Sequence, residues 1–191
     1  FASMNINYTI NNDGVISIES SFTVDTTRTD MPGLFRYGLR FEMPENYDKV
    51  VYYGRGPIEN YADRKSSQNI GLYRQDVKEQ YYPYVRPQES GTKSDLRYYS
   101  VVDGSGRGLK FFSDDYFSAS ALPYTRENIA PWLNKRQYHS TDLANERLTA
   151  VSIDAQQMGL GCVNSWGAWP LNQYQLPYAN YKQKLIIMPM K

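Results

Sequence analysis

Three glutamates stand out among the groups that could do chemistry: Glu59 and Glu89, each in a polar loop rich in Gly and Pro, and Glu146, preceded by Asn145. Two carboxyl groups about 5–5.5 Å apart are what a retaining glycoside hydrolysis needs. With 20 acidic residues in the chain, however, some pair comes close by chance. Glu59 has Arg55 and Arg64 nearby, and Glu89 has Lys93 and Arg97, so structural ion pairs are the commoner reading of both. Asn145-Glu146, a dipeptide that carries the acid/base in barrel enzymes, sits in Leu143-Ala144-Asn145-Glu146-Arg147 with no barrel pattern around it, and reads as a turn before a strand. His139 is the only histidine, and no Gly-x-Ser-x-Gly elbow accompanies it. Cys162 is the only cysteine, which excludes an internal disulfide and a multi-cysteine metal site. Gly54-Arg55-Gly56 lacks the Gly-Lys-Ser/Thr and following helix of a phosphate loop. No catalytic residue, metal ligand or cofactor site is therefore assigned.

One segment keeps its chemical interest. Met158-Gly159-Leu160-Gly161-Cys162-Val163-Asn164-Ser165-Trp166-Gly167-Ala168-Trp169-Pro170-Leu171 places two Trp among glycines, in a stretch too irregular for a strand. A pyranose has one face of C–H groups that packs against the π-face of an aromatic ring. A sugar-contacting loop and simple packing of the two rings both fit this composition.

The elements that must hold such a loop are strands. Ile6–Ile10 and Val15–Glu19 alternate, and Asn12-Asp13-Gly14 between them signals a primed hairpin turn. Further strands are expected at Phe22–Asp25, Leu34–Met43, Asp48–Tyr53, Gly108–Phe112, Phe117–Ala121, Arg147–Ile153, Gln173–Leu176 and Tyr181–Met188. Thr125–Ala130 suggests one short helix capped by Thr125 and stopped by Pro131. Short strands joined by Gly/Pro/Asn turns, with no linker or repeat, predict an all-β antiparallel sandwich in a single domain over residues 1–191.

Composition sets the remaining bounds. A length of 191 residues suffices to bury a core, and 41% hydrophobic with 21% charged residues is ordinary for a globular chain. The excess lies in 18 Tyr, most of which β-propensity explains. A net charge of +1 gives no electrostatic footprint for nucleic acid. No run of 18 apolar residues exists to span a membrane. Phe1–Tyr8 has no signal-peptide pattern and reads as the approach to a strand, the look of a piece excised from a longer protein. The compartment stays open.

Several landmarks together carry a family likeness. Tyr53-Gly54-Arg55-Gly56-Pro57-Ile58-Glu59-Asn60-Tyr61-Ala62-Asp63-Arg64 resembles the Gly-x-Gly-Pro-x-Glu-Asn-Tyr-x-Asp-Arg motif of the last domain of family two β-galactosidases. Tyr84-Val85-Arg86-Pro87-Gln88-Glu89-Ser90-Gly91 resembles that domain's Tyr-Val-x-Pro-x-Glu-x-Gly motif. Phe117–Ser120, His139 with Leu143, Asp154, Met158–Gly161, Ser165-Trp166 and Gln173–Leu176 follow in the family's order.

The resemblance implies a C-terminal antiparallel supersandwich similar to galactose mutarotase, lacking its first strands and a mobile loop upstream of Phe1. It implies a parent that hydrolyses terminal β-galactosides such as lactose, with two Glu on a (β/α)8 barrel absent from this chain. The parent's domains, a β-galactoside and further copies in a homo-oligomer are the implied partners. The family's substrate-stacking Trp falls by motif position on Trp166, with Asn164 and Ser165 beside it; Gly167-Ala168-Trp169-Pro170 departs from the pattern by adding a second Trp. Glu59 and Glu89 then read as architecture. Against this stands a free-standing carbohydrate-binding or mutarotase-like module, which needs a His acid and a Glu base in one cleft; the one His lies in a different motif.

Overall fold

The computed structural model describes residues 1–130, 139–161, 163–164 and 166–191. Its strands are β1 (Ala2–Ile10), β2 (Ile16–Val24), β3 (Arg36–Pro44), β4 (Lys49–Gly56), β5 (Asn69–Asp76), β6 (Lys93–Leu96), β7 (Tyr98–Val102), β8 (Gly108–Ser113), β9 (Phe117–Leu122), β10 (Leu148–Gln157) and β11 (Tyr181–Met190). They form two antiparallel sheets, one of seven strands in the order β1-β2-β11-β8-β7-β4-β5 and one of four in the order β3-β10-β9-β6. The chain is an all-β antiparallel sandwich.

Alternation within the strands builds the core. Ile18, Val50, Tyr52, Tyr99, Val101, Phe111, Leu185 and Ile187 face inward from the larger sheet, and Met43, Leu96, Phe117, Ala119, Ala121, Val151 and Ile153 from the smaller. Phe41 meets Phe111 across the gap with ring centroids 5.7 Å apart. Two of the tyrosines pack here: Tyr52 and Tyr99 are fully buried and stack at 5.7 Å.

The smaller sheet stops one strand short of the larger. Its edge strand β3 lies over β2, where the Tyr37 hydroxyl bonds Ser20 Oγ at 2.9 Å and the Tyr37 ring meets Phe22 at 6.4 Å. β1 lies beyond that cover. Every one of its residues is exposed, although Met4, Ile6, Tyr8 and Ile10 pair with Phe22, Ser20, Ile18 and Ile16 on the core-side face.

The short helix α1 (Arg126–Ile129) forms as expected, with Thr125 accepting from the Asn128 amide. Other expectations need correction. The strands expected at Val15–Glu19 and Phe22–Asp25 are one, Ile16–Val24, since Ser20 and Ser21 interrupt the apolar pattern but not the ladder. Gln173–Leu176 is no strand: Asn172–Tyr174 is a 3-10 turn and Leu176 makes only a bridge to Leu34. The first hairpin turn is not primed, because only Gly14 has positive φ while Asn11 caps the loop through its side chain. β5, β6 and β7 went unforeseen. β5 is an edge strand whose half-buried side carries Gly71, Tyr73 and Gln75 while apolar Ile70 and Leu72 face solvent, β6 is short with Asp95 at φ 51°, and β7 is buried almost throughout, so none shows apolar residues alternating inward.

Candidate functional site

The Gly-Pro-rich motif after β4 folds into a tight turn closed by Tyr61 and Arg64, whose backbones bond each other in both directions. The side chains in it have separate tasks. The Glu59 carboxylate accepts from the Gly91 amide at 2.8 Å, from Arg64 Nη2 at 2.8 Å and from the Tyr84 hydroxyl. The Asn60 side chain donates to the Arg55 and Ile58 carbonyls and accepts from Ser94. Tyr61 is buried. Arg64 is thus the partner of Glu59, whereas Arg55 turns to Asp95, 2.5 Å away. Lys93 is buried next to this cluster with Nζ on the Gly91 carbonyl, and burial pushes its amine down to about 8.

Glu89 does not pair with Lys93 or Arg97. Its partners come from remote segments: Arg36 of β3 at 2.9 Å and Arg126 of α1 at 3.0 Å. Arg36 also holds Asp154 of β10 at 2.9 Å, completing a four-residue network. Burial raises the Glu89 carboxyl, but the two guanidinium groups outweigh it and hold it below the usual range. Asp154, at 2% exposure, is pushed up to about 6 by burial, against the pull of Arg36 and Arg126. These states decide the chemistry. Glu59 and Glu89 have their lone pairs taken by donors, which suits a fastening and not a nucleophile. Asp154 has the raised pKa of a general acid but no path to a substrate. Glu146 is taken up by the Thr125 amide and hydroxyl at 2.6 and 2.8 Å, and His139 Nδ1 lies 3.0 Å from the Val85 carbonyl.

The Trp-bearing segment leaves the end of β10 as a loop held at its base. Met158 donates its amide to the Phe35 carbonyl at 2.9 Å, and Gly159 to the Tyr174 carbonyl at 2.8 Å. Leu160 and Gly161 donate to the two oxygens of Asp63 at 3.1 and 2.8 Å. Gly161 takes φ +71°, the left-handed geometry that aims two successive amides at one anion. On the return limb the Pro170 carbonyl accepts from Gln175 Nε2 at 2.6 Å. Trp169 lies parallel to Phe35, 6.4 Å between centroids and 7° between planes, a contact worth about 0.5–1.5 kcal/mol.

Trp166 projects from the tip at 91% exposure. Asn164 Oδ1 accepts from the Trp166 amide at 2.9 Å and the Ala168 amide at 3.4 Å, so its oxygen shapes the tip. Ser165 and Cys162 lie outside the described residues. Beside the loop base is an open cavity of ≈ 600 Å³, floored by Arg36, Glu89 and Arg126 and walled by Phe35, Met158 and Leu160. That is ample room for a pyranose. Arg36, Arg126, Phe35 and Asp63 escaped the sequence reading as site residues. Only Asp63 carried a signal, its place in the motif around Glu59.

Fold and loop together define an all-β sandwich module carrying an aromatic-tipped loop. The family described as beta galactosidase small chain matches residues 2–187. A β-galactosidase of Priestia megaterium is 35% identical over 191 residues, covering 99% of this chain and 18% of the relative. β-Galactosidases of Lactobacillus delbrueckii subsp. bulgaricus and Halalkalibacterium halodurans are 32% and 30% identical, covering 98% and 90% of this chain and 18% and 16% of theirs. The chain belongs to the β-galactosidase small-chain family, and it spans less than a fifth of the length of these relatives.

Proposed function

We propose that this chain is the C-terminal domain of a family two β-galactosidase, one supersandwich domain over residues 1–191 similar to galactose mutarotase. In this reading it supplies one wall of the site where terminal β-galactosides such as lactose are hydrolysed. Trp166 packs against the sugar, with Asn164 and Ser165 beside it. The acid and the nucleophile come from a (β/α)8 barrel elsewhere in the parent, which assembles as a homo-oligomer. The single observation that carries the proposal is the contrast within one loop: a base fastened at several points and an indole left bare at the tip. Exposing a Trp to water forgoes a large burial free energy, so a loop fastened at its base that does so is built for a contact made outside the sandwich.

The test uses the intact enzyme. Truncating a central aromatic anchor costs at least about 2 kcal/mol, some thirtyfold in affinity. Trp166→Ala should raise KM steeply, with the smaller loss in kcat expected of a contact made in ground and transition states alike. Trp169→Ala should lower stability through the lost Phe35 stack and leave KM nearly unchanged. A swap of the two phenotypes assigns the sugar to Trp169, and an unchanged KM in both rules out a substrate wall here.

A further inference from the structure

We propose that Asp63 is the positioning residue of the Trp166 loop, fixing the height and direction at which the indole leaves the sandwich; this rests on Trp166 meeting substrate. Asp63 sits at the tip of the turn closed by Tyr61 and Arg64 and is separated from the loop by almost one hundred residues of sequence. Its carboxylate fills the concavity made by the Leu160 and Gly161 amides, one oxygen to each. Both are bonds to a carboxylate, a stronger class than neutral ones, and the Gly161 bond is the shorter at 2.8 Å. They act where the loop departs, so a small rotation there becomes a large displacement of an indole five residues on.

Further features make the contact a fixed reference. The turn beneath Asp63 is fixed to the core by buried Tyr61 and fully buried Asn60. Glu59 locks the same turn to Gly91 and, through Arg64, to itself. Gly159 leaves space for the carboxylate: a methyl group there would lie 2.5 Å from Asp63 Cγ. The facing limb is equally close, since a methyl group on Gly161 would lie 2.8 Å from the Ala168 carbonyl oxygen, which couples both limbs to the same anchor. Asp63 touches no reacting atom in this scheme. It acts through Trp166.

A double-mutant cycle in the intact enzyme tests the claim, with hydrogen exchange of the 158–170 segment as the second readout. Asp63→Ala should raise KM about tenfold, within the range for side chains coupled in one network, and leave kcat much less changed. In a Trp166→Ala background the same substitution should add almost nothing to KM. Gly159→Ala, which displaces the carboxylate without removing charge, should reproduce the effect, and Asp63→Asn, keeping one acceptor, should fall between. Exchange should quicken at Leu160 and Gly161 and stay as it was in β10 and β11. An equal rise in KM with and without Trp166 overturns the proposal, as does an unchanged KM for Asp63→Ala in an enzyme that Trp166→Ala impairs. If Trp166→Ala itself leaves KM unchanged, the substrate-wall reading falls and takes the role of Asp63 in substrate binding with it. Unaltered exchange at both amides refutes the anchor whatever the kinetics.

Discussion

Substituting Glu89 by Gln separates fastening from chemistry. Glu89 is held by two guanidinium groups at 2.9 and 3.0 Å, with side-chain exposures of 19% for Arg36, 36% for Arg126 and 23% for Glu89. Removing one partner of a fully buried ion pair costs about 3–5 kcal/mol, because the remaining charge is left uncompensated. Partial exposure and the oxygen that Gln retains reduce this to about 2 kcal/mol. In a domain of this length each kcal/mol moves the midpoint by about 2–4 °C, so Glu89→Gln should melt about 4–8 °C lower. Glu127→Gln is the control. Its pair with Arg40 is exposed at 59% and 41%, and such pairs contribute about 0–1 kcal/mol. Thermal unfolding of both variants, followed by circular dichroism, gives the comparison. Equal melting points for Glu89→Gln and the unsubstituted chain refute the stabilising role. A collapse of kcat in the intact enzyme with stability preserved would make Glu89 part of the reaction.

Three further outcomes are expected. Lys93, with a folded-state pKa depressed to about 8 from an unfolded 10.5, contributes stability that is present above 10.5 and lost as pH falls through 8. Between pH 7 and 9.5 unfolding should therefore become harder by about 2 kcal/mol, a slope that denaturant titrations of Lys93→Met should lack. The chain alone should hydrolyse no chromogenic β-galactoside; turnover that disappears in Glu59→Gln/Glu89→Gln would reverse the assignment of those residues. The bare β1 face should drive association at high concentration, and Met4→Thr/Tyr8→Thr should weaken it in sedimentation velocity, whereas a strictly monomeric unsubstituted chain contradicts this.

Most of the strands were legible because their inward and outward residues alternate, as in Ile16–Val24 and Lys49–Gly56. β7 was not, because burial on both faces erases alternation, and β5 was not, because its solvent side carries Ile70 and Leu72 while its half-buried side carries Gly71 and Gln75, which inverts the pattern. The Trp loop could be picked out from glycine and indole content alone. Its fastening could not: Asp63 meets Leu160 and Gly161, and Arg36 meets Glu89, across separations that no local pattern encodes. Charge proximity along the chain misled for the same reason, offering Lys93 and Arg97 to Glu89 when the fold brings Arg36 and Arg126. The cap Thr125, a purely local device, was read correctly.

The place of β11 governs how the protein can be made. It follows every other strand in the chain yet lies inside the seven-stranded sheet, paired with β2 on one side and β8 on the other. On the ribosome, therefore, β1-β2 and β8-β7-β4-β5 emerge as two separate half-sheets, each with an inner edge open to any strand that passes. Leu185 and Ile187, both core residues, arrive only with that last strand. Synthesis proceeds at about 5–20 residues per second, so those edges wait for seconds with nothing native to pair with. Folding of the larger sheet is thus a closing event, late and non-local, and slow for that reason. A nonsense codon a few residues before Tyr181 would remove the seam rather than the hem, leaving two half-sheets with no ladder between them.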